Sequence, residues 1–329
     1  MPDTKTTTVL TDETAALKLG ISSCLLGNKV RYDGQHKYDS WLVETLGGHV
    51  TFVPVCAEVE CGLIVPREAM RLVGSAEEPR LQTQQTKIDH TQRMLDFCPK
   101  RMAELAGEEL CGFVFKSKSP SCGMERVKVY PEKGGVGDKK GVGIFAREFI
   151  SAFPLLPVEE EGRLHDPDLR ENFIERIFVM QRWLQLQKKR FSPGAVVDFH
   201  TRHKLLFMAH SPQLYRELGK LVATVDQHQP EKFAQIYLPK LMQALARPAT
   251  PARHQNVLQH ILGYFKQDLT SAEKAEMLEL VENYRARLLP LIVPVTMLNH
   301  YARKYEKPYL LGQFYLNPHP RELALRNHV

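Results

Sequence analysis

The stretch LKLGISSCLLG, residues 17–27, decides the fold, because a short apolar run ends there in a turn that carries Cys24. The segment HVTFVPVCAEVECGL, residues 49–63, repeats the pattern and delivers Cys56 into a loop. LCGFVFKSKSPSCG, residues 110–123, follows it a third time, with a strand predicted at Gly112 to Phe115 and a loop carrying Cys122. Such runs, separated by helical segments, favour a parallel α/β sheet whose carboxyl edge carries the reactive residues.

Two segments between these runs have weaker patterns. Residues 84–106 show apolar positions at helical spacing, with Pro99 predicting a break or a kink. Residues 134–143 are rich in glycine but match neither the Walker nor the dinucleotide fingerprint, so they indicate a mobile loop before a helix.

The second half of the chain reads as almost entirely helical from Asp168 onward, with Pro and Ser-Pro breaks between the segments. The predicted fold class is therefore α/β: a Rossmann-like, parallel-sheet domain followed by an all-α domain. We expect a disordered leader at 1–17, a catalytic α/β domain at 18–160 and a helical domain at 168–329.

Composition and charge restrict the function. The 329 residues, 43% of them hydrophobic and 25% charged, exclude a collagenous or wholly disordered chain. With neither a bilayer-spanning apolar run nor a secretory signal in view, we expect a cytoplasmic protein without a membrane partner. The net charge of +6 falls on residues 151–329, so the helical half is expected to prefer an anionic partner.

All six cysteines lie in the first 122 residues. A reducing compartment disfavours disulfides, which leaves metal binding, catalysis or burial as their roles. The spacing of Cys24, Cys56 and Cys122 differs from the CxxC pairs of zinc sites. Each of the three nevertheless follows a predicted strand beside Gly, Ser or Pro, where backbone amides are free to bond sulfur. For Cys98 and Cys111 the prediction is packing.

Three motifs resemble the bacterial thiouracil desulfidase family: SSCLLGNKVRYDG at 22–34, PVCAEVECGLIVPRE at 54–68 and KSPSCG at 118–123. The segment SPGAVVDFHTRHKLLFMAHSPQLYRELGKLV, residues 192–222, resembles a domain of unknown function often fused to that family. The fused pair is similar to tRNA 4-thiouridine desulfidases. The resemblance covers roughly residues 18–150 and 190–310.

The resemblance implies a [4Fe–4S] cluster held by Cys24, Cys56 and Cys122, with one iron that has no protein ligand. It also implies a non-redox reaction: the open iron takes the thiocarbonyl sulfur, water adds at the carbon, and uridine and hydrosulfide are released. The implied substrate and partner is tRNA containing 4-thiouridine. Cys61 is either a fourth cluster ligand or, as we favour, a nearby free or packed thiol.

Such a reaction needs a proton shuttle, and the family uses a Glu and a Ser near its cluster. We predict Glu58 as the shuttle, with Glu60 as the alternative. We predict Ser121 as the assisting serine, with Ser119 as the alternative. Contacts to the nucleoside are expected from the residues that follow Cys24, which are Arg31, Tyr32 and Asp33.

In the helical domain, His200, His203, Lys204 and Phe207 share one helical face. We interpret this as a basic face that grips tRNA phosphates while the base enters the cluster pocket, with Phe207 in the core. The nucleic-acid-binding residues predicted in the helical domain are Lys188, Lys189, Arg190, Arg202, His203 and Lys204.

Two alternatives stay open at this point. The same chemistry on free thiouracil or thiouridine would make the helical domain an oligomerisation module, and a comparison of free base with thiolated tRNA separates the two. A non-catalytic iron–sulfur sensor that binds nucleic acid is the other alternative. Hydrosulfide release in step with thio-base loss, without added reductant, would exclude the sensor.

Overall fold

The computed structural model describes residues 17–188 and 191–328. Its strands all lie in the first half of the chain. They are β1 (Lys18–Ser22), β2 (Thr51–Val55), β3 (Met70–Gly74), β4 (Pro79–Thr83), β5 (Gly112–Phe115), β6 (Val127–Tyr130), β7 (Asp138–Gly141) and β8 (Val158–Glu160). The predicted leader falls mostly on residues 1–16, outside the described residues.

The first sheet is parallel throughout and has the strand order β2-β1-β5-β8. Leu19 and Ile21 of β1 are fully buried, as expected of a strand that is paired on both sides and covered on both faces. The carboxyl ends of β1, β2 and β5 therefore meet at one edge. Together with the helix-rich second half, this sheet confirms the predicted fold class.

A second sheet, absent from the sequence prediction, has the order β4-β3-β6-β7. Its central pair, β3 and β6, is parallel, and the outer strands β4 and β7 run antiparallel to their neighbours. Strand β7 lies inside the glycine-rich segment 134–143. The prediction of a loop along that whole segment is therefore wrong.

The first half also contains helices α1 (Ala57–Glu60), α2 (Thr91–Ala106) and α3 (Ile144–Ala152). Helix α2 continues through Pro99, so of the predicted break or kink, the break is wrong. Pro99 lies on the exposed face, whereas Cys98 and Met102 belong to a buried stripe that continues on both sides of it. Burial of that stripe keeps the helix intact, although the proline removes a backbone donor.

The second half is a helical domain in which Pro at the first turn and Ser or Thr caps begin several helices. In the described residues, no helix combines the length and apolarity needed to cross a bilayer. The helices are α4 (Pro167–Lys188), α5 (Pro193–His210), α6 (Pro212–Val222), α7 (Pro230–Leu245), α8 (Pro251–Leu262), α9 (Ser271–Arg285), α10 (Ile292–Lys304) and α11 (Pro308–Leu311).

The two halves share a hydrophobic core. Leu19 and Ile21 of β1 belong to the same buried cluster as Phe173, Ile177 and Trp183 of α4. A second cluster packs α2 and α3 against the other side of the first sheet and against the second sheet. Helix α4 thus fixes the sheet to the helical domain and leaves the carboxyl edge of the sheet free to form a site.

Candidate active site

Three cysteines meet at the carboxyl edge of the parallel sheet. Cys24 lies in a single 3₁₀ turn directly after β1, and Cys56 lies between β2 and α1. Cys122 lies in the turn that follows β5. All three line one cavity of about 350 Å³. The structure therefore brings together the three cysteines that the motifs singled out.

The three thiols are close enough to affect one another. Burial raises the pKa of Cys24 to about 11, and Cys56 adds to the rise while Lys116 opposes it. Burial also raises the pKa of Cys56. The pKa of Cys122 is raised well above its ordinary value by burial, by Glu58 and by the other two cysteines. As bare thiols, the three stay protonated at neutral pH.

The donor set fits an iron–sulfur cluster better than a single metal ion. Within residues 17–188 and 191–328, no three His, Cys, Asp or Glu side chains are gathered tightly enough to hold one ion. The cysteines Cys24, Cys56 and Cys122 surround a cavity instead, and all are free of disulfides. Thiolates spaced around a cavity are the ligands that a multi-atom iron–sulfur cluster takes.

A hydrogen-bonded chain of three side chains borders the cysteine cavity. Glu58 of α1 lines the cavity, and its Oε1 accepts a hydrogen bond of 2.8 Å from the Oγ of the fully buried Ser121. Its Oε2 accepts from Arg67 Nε at 2.9 Å. Arg67 also donates to the carbonyl of Val30 at 3.0 Å. Both carboxylate oxygens of Glu58 are thereby held in place.

The turn around Cys122 is held by hydrogen bonds from its backbone amides and by the backbone of α3. Ser119 Oγ accepts from the amides of Ser121 and Cys122 at 3.2 and 3.1 Å. The start of α3 packs directly on this turn, with the Gly143 amide donating to the Gly123 carbonyl at 2.7 Å. Ser119 thus shapes the turn, whereas Ser121 reaches Glu58.

Comparison with known proteins places both halves of the chain. A model of the 2-thiouracil desulfurase family matches residues 19–161, and a model of a protein of unknown function, DUF1722, matches residues 204–320. The uncharacterized protein YbgA of Escherichia coli (strain K12) is 36% identical over 153 residues, which are 46% of this chain and 90% of YbgA. This chain belongs to the 2-thiouracil desulfurase family, in fusion with a DUF1722 domain. The predicted family is thereby confirmed.

A solved structure also resembles this desulfurase-family chain. It is described as the [4Fe–4S]-dependent thiouracil desulfidase TudS, is 27% identical, and covers 45% of this chain and 93% of its own. The TM-score is 0.36.

Glu60 and the remaining cysteines of the desulfurase domain contact other parts of the chain. Glu60 accepts a hydrogen bond from the Cys56 amide at 2.7 Å and pairs with Arg101 at 2.9 Å. Its carboxylate is therefore held by the backbone at the start of α1 and by Arg101. The Cys61 thiol donates to the Glu58 carbonyl at 3.2 Å and packs against the second core. Cys98 and Cys111 are buried, one in each core.

Basic groups surround the cysteines of the desulfurase domain. Arg31 and Tyr32 line the cavity, while Asp33 pairs with Arg31 at 3.3 Å. Lys116 also lines the cavity and is held by an ion pair with Glu161. Sequence reasoning did not identify Lys116 or Arg67, although both lie in or beside the quoted motifs.

The predicted basic face of α5 in the helical half of the chain is wrong for its histidines. His203 is fully buried, packs between Phe199 and Phe207, and has its pKa held well below the ordinary value by burial. His200 is also buried, and burial lowers its pKa to about 4. Phe207 lies in the core, as expected. Helical spacing placed these residues on one face, but that face points inward.

The predicted basic residues of the helical half are largely engaged with the rest of the chain. Lys188 forms an ion pair with Glu109 of the desulfurase domain. The guanidinium of Arg202 lies 4.4 Å from the ring centre of Phe314, and Lys204 Nζ lies 4.9 Å from that of Tyr309. Lys189 and Arg190 lie outside the described residues.

Proposed function

We propose that this chain is an iron–sulfur-dependent desulfidase that converts 4-thiouridine in tRNA to uridine and releases hydrosulfide. The observation that carries the proposal is the cavity at the carboxyl edge of the sheet, which is lined by Cys24, Cys56, Cys122 and Glu58. Membership of the 2-thiouracil desulfurase family supports a thiolated uracil as the group acted on.

The three cysteines would hold a [4Fe–4S] cluster and leave one iron without a protein ligand. When bound, this cluster supplies a soft Lewis acid for the thiocarbonyl sulfur of the substrate. Lys116 and Arg31, which oppose the rise in the pKa of Cys24, would stabilise the thiolate form that a cluster requires. Val30 and Arg67 close one side of the site, where the Arg67 guanidinium bridges Glu58 and the Val30 carbonyl.

The reaction balances without an added oxidant or reductant, since the thiocarbonyl and one water give the carbonyl and hydrogen sulfide. Glu58 Oε1 takes a proton from the attacking water and returns it to the departing sulfur or the ring nitrogen. Ser121 Oγ, which donates to that oxygen at 2.8 Å, positions the carboxylate and relays the proton. Arg67 holds the other oxygen, so Glu58 keeps one orientation while its proton moves.

A base attached to a polynucleotide fits the charge of the molecule. The net charge is +6, and the cysteine cavity is bordered by Arg31, Lys37, Lys116 and Lys118. Such a mouth attracts a polyanion far more strongly than a neutral free base. The thio-base would leave its stack and enter the cavity while the phosphates stay outside.

The test is anaerobic reconstitution of the full chain with iron and sulfide, followed by mixing with tRNA that contains 4-thiouridine. Loss of the thiouridine absorbance with matching hydrosulfide release, without reductant, is the expected result. Cys24→Ala should abolish both, while Cys98→Ala, a buried thiol away from the cavity, should retain them. An intact cluster and bound tRNA without thio-base loss would refute the enzyme and favour a sensor. Faster reaction of free thiouracil than of tRNA would refute the tRNA substrate.

A further inference from the structure

A second cavity, of about 700 Å³, opens beside the cysteine cavity on the second sheet. The two cavities share lining residues, among them Gln84, Ser117 and Lys118. The second cavity is therefore continuous with the mouth of the first. Strands β3, β6 and β7 supply Arg71, Lys128 and Lys139 to its walls.

We call this second cavity the basic groove. Its positive charge is largely uncompensated by carboxylates. Lys118, Lys128 and Lys139 are exposed, and none of their side chains forms an ion pair or a hydrogen bond within the described part of the chain. Exposed lysines without carboxylate partners are free to meet phosphates.

The acidic residues of the groove are already engaged. Glu125 is held by Arg126 at 2.6 Å and by Arg163 at 2.9 Å. Glu160 is buried and accepts from the Met124 amide at 2.9 Å. Neither carboxylate competes for the three exposed lysines.

One wall of the groove also offers a flat platform. The Arg71 guanidinium stacks on the Tyr130 ring at 5.0 Å from its centre, and both residues line the groove. Arg71 Nε is buried and has no hydrogen-bond acceptor in the described residues. Aromatic rings and guanidinium planes are surfaces on which unstacked RNA bases lie.

We infer that this basic groove binds the RNA strand next to the thio-base, so that the catalytic domain itself grips its substrate. The inference rests on the proposed function. A single phosphate would satisfy one or two lysines, whereas lysines spread over β6, β7 and the loop after β5 match the repeated phosphates of a strand. His200 and His203, which the sequence prediction assigned to a basic RNA-binding face, are buried and do not offer their rings to phosphates.

The test uses the full chain and measures binding of one tRNA, with and without 4-thiouridine, over a range of salt concentrations. The groove variant is Lys128→Glu with Lys139→Glu. The matched control is Lys220→Glu with Lys232→Glu, which alters by the same charge two exposed lysines of α6 and α7 that form no salt bridge within the described residues. Thermal unfolding of both variants checks folding, and Lys128→Gln with Lys139→Gln replaces the groove variant if it does not fold.

The groove variant should weaken tRNA binding about ten-fold or more at moderate salt and reduce the slope of log affinity against log salt by about two. The tRNA affinity of the control variant and its salt dependence should stay close to those of the unaltered protein. The ratio of activity on tRNA to activity on free thiouracil should fall in the groove variant alone. Absence of desulfuration in the unaltered protein would refute the proposed function. The binding measurements would still show whether the groove binds RNA.

Three outcomes would overturn the inference. The first is tRNA binding in the groove variant that equals that of the unaltered protein. The second is a larger loss in the control on α6 and α7, which would return RNA binding to the helical domain. The third is an equal loss of activity on 4-thiouridine 5′-monophosphate and on tRNA, which would reduce the groove to a site for a single phosphate.

Discussion

Ser121 and Glu58 lie 63 positions apart in the sequence and share a hydrogen bond of 2.8 Å at the border of the cysteine cavity. The loops after β2 and β5 bring them together, and each of these loops also carries a cysteine of the cavity. The proton-handling pair and the cluster ligands are thus fixed by the same two segments. Movement of either loop would change both the ligand positions and the hydrogen bond.

Glu58→Gln should lower kcat on 4-thiouridine by about 10²–10⁴-fold, because the amide keeps the shape but cannot take a proton. The cluster content, measured as iron and sulfide per chain, should stay unchanged. Glu60→Gln is the matched control, since Glu60 is two residues away and bonds the Cys56 amide and Arg101 instead. A greater loss in Glu60→Gln than in Glu58→Gln would contradict the assignment.

Cys61→Ala should retain the cluster and the activity, because its thiol bonds the Glu58 carbonyl and packs against the second core. Cys122→Ala should lose the cluster, because its sulfur lines the cavity. The visible absorbance and the iron content of both variants after anaerobic reconstitution provide the measurement. If Cys61→Ala lost iron as Cys122→Ala does, Cys61 would be a ligand and the open iron would be excluded.

Gly143→Ala should distort the Cys122 turn. An added Cβ would lie 2.5 Å from the Ser121 carbonyl and 2.8 Å from the Cys122 nitrogen, so the start of α3 would have to move. We expect a loss of about 1–3 kcal/mol in the free energy of unfolding, together with lower cluster occupancy. Gly194→Ala is the control, because no atom lies within 4 Å of its added Cβ. Unaltered stability and iron content in Gly143→Ala would refute the contact.

The sequence predicted the parts of the site that follow buried strands. Strands β1, β2 and β5 are short apolar runs, and each is followed by a turn with a cysteine, so both strand and ligand were visible. Strand β7, at the edge of the second sheet, was missed because it reads DKKG, in which three of the four residues are exposed and polar. A polar edge strand gives no periodic apolar signal.

The contacts of Arg67 and His203 show what a linear pattern leaves out. Arg67 reaches Glu58 from a loop, and nothing in its spacing indicates which carboxylate it meets. His203 shares a helical face with Lys204, yet the packing of Phe199 and Phe314 against its ring decides that it is buried. Periodicity tells which residues share a face, and tertiary packing decides whether that face meets water.

Arg326→Ala should destabilise the helical domain by about 3–5 kcal/mol, because it leaves two buried carboxylates without their cation. Arg326 donates to Glu171 and to Glu175 of α4, each at 2.8 Å, and its side chain is 3% exposed. Urea unfolding measures the loss. The exposed Arg321, changed to Ala, should alter stability by no more than about 0.5 kcal/mol. Equal effects of the two substitutions would contradict a buried ionic network.

The stability of the protein should depend on His200 between pH 6.5 and about pH 4. Burial, aided by Lys204, lowers the pKa of His200 to about 4, so the folded chain keeps this imidazole neutral while the unfolded chain protonates it below about 6.5. The neutral His200 therefore makes its full contribution to the free energy of unfolding above pH 6.5. This contribution is lost as the pH falls toward 4, by about 1.4 kcal/mol per pH unit.

His200→Gln isolates this contribution from the other titrating groups, because the difference between the two proteins removes what they share. The free energy of unfolding of the unaltered protein should fall more steeply with acid than that of His200→Gln between pH 6 and 4.5, by about 1.4 kcal/mol per unit. At pH 7.5 and above the two curves should run parallel, since the imidazole is neutral in both states. Parallel curves through the acid range would show that the His200 ring takes up its proton within the folded domain, and they would contradict the lowered pKa of His200.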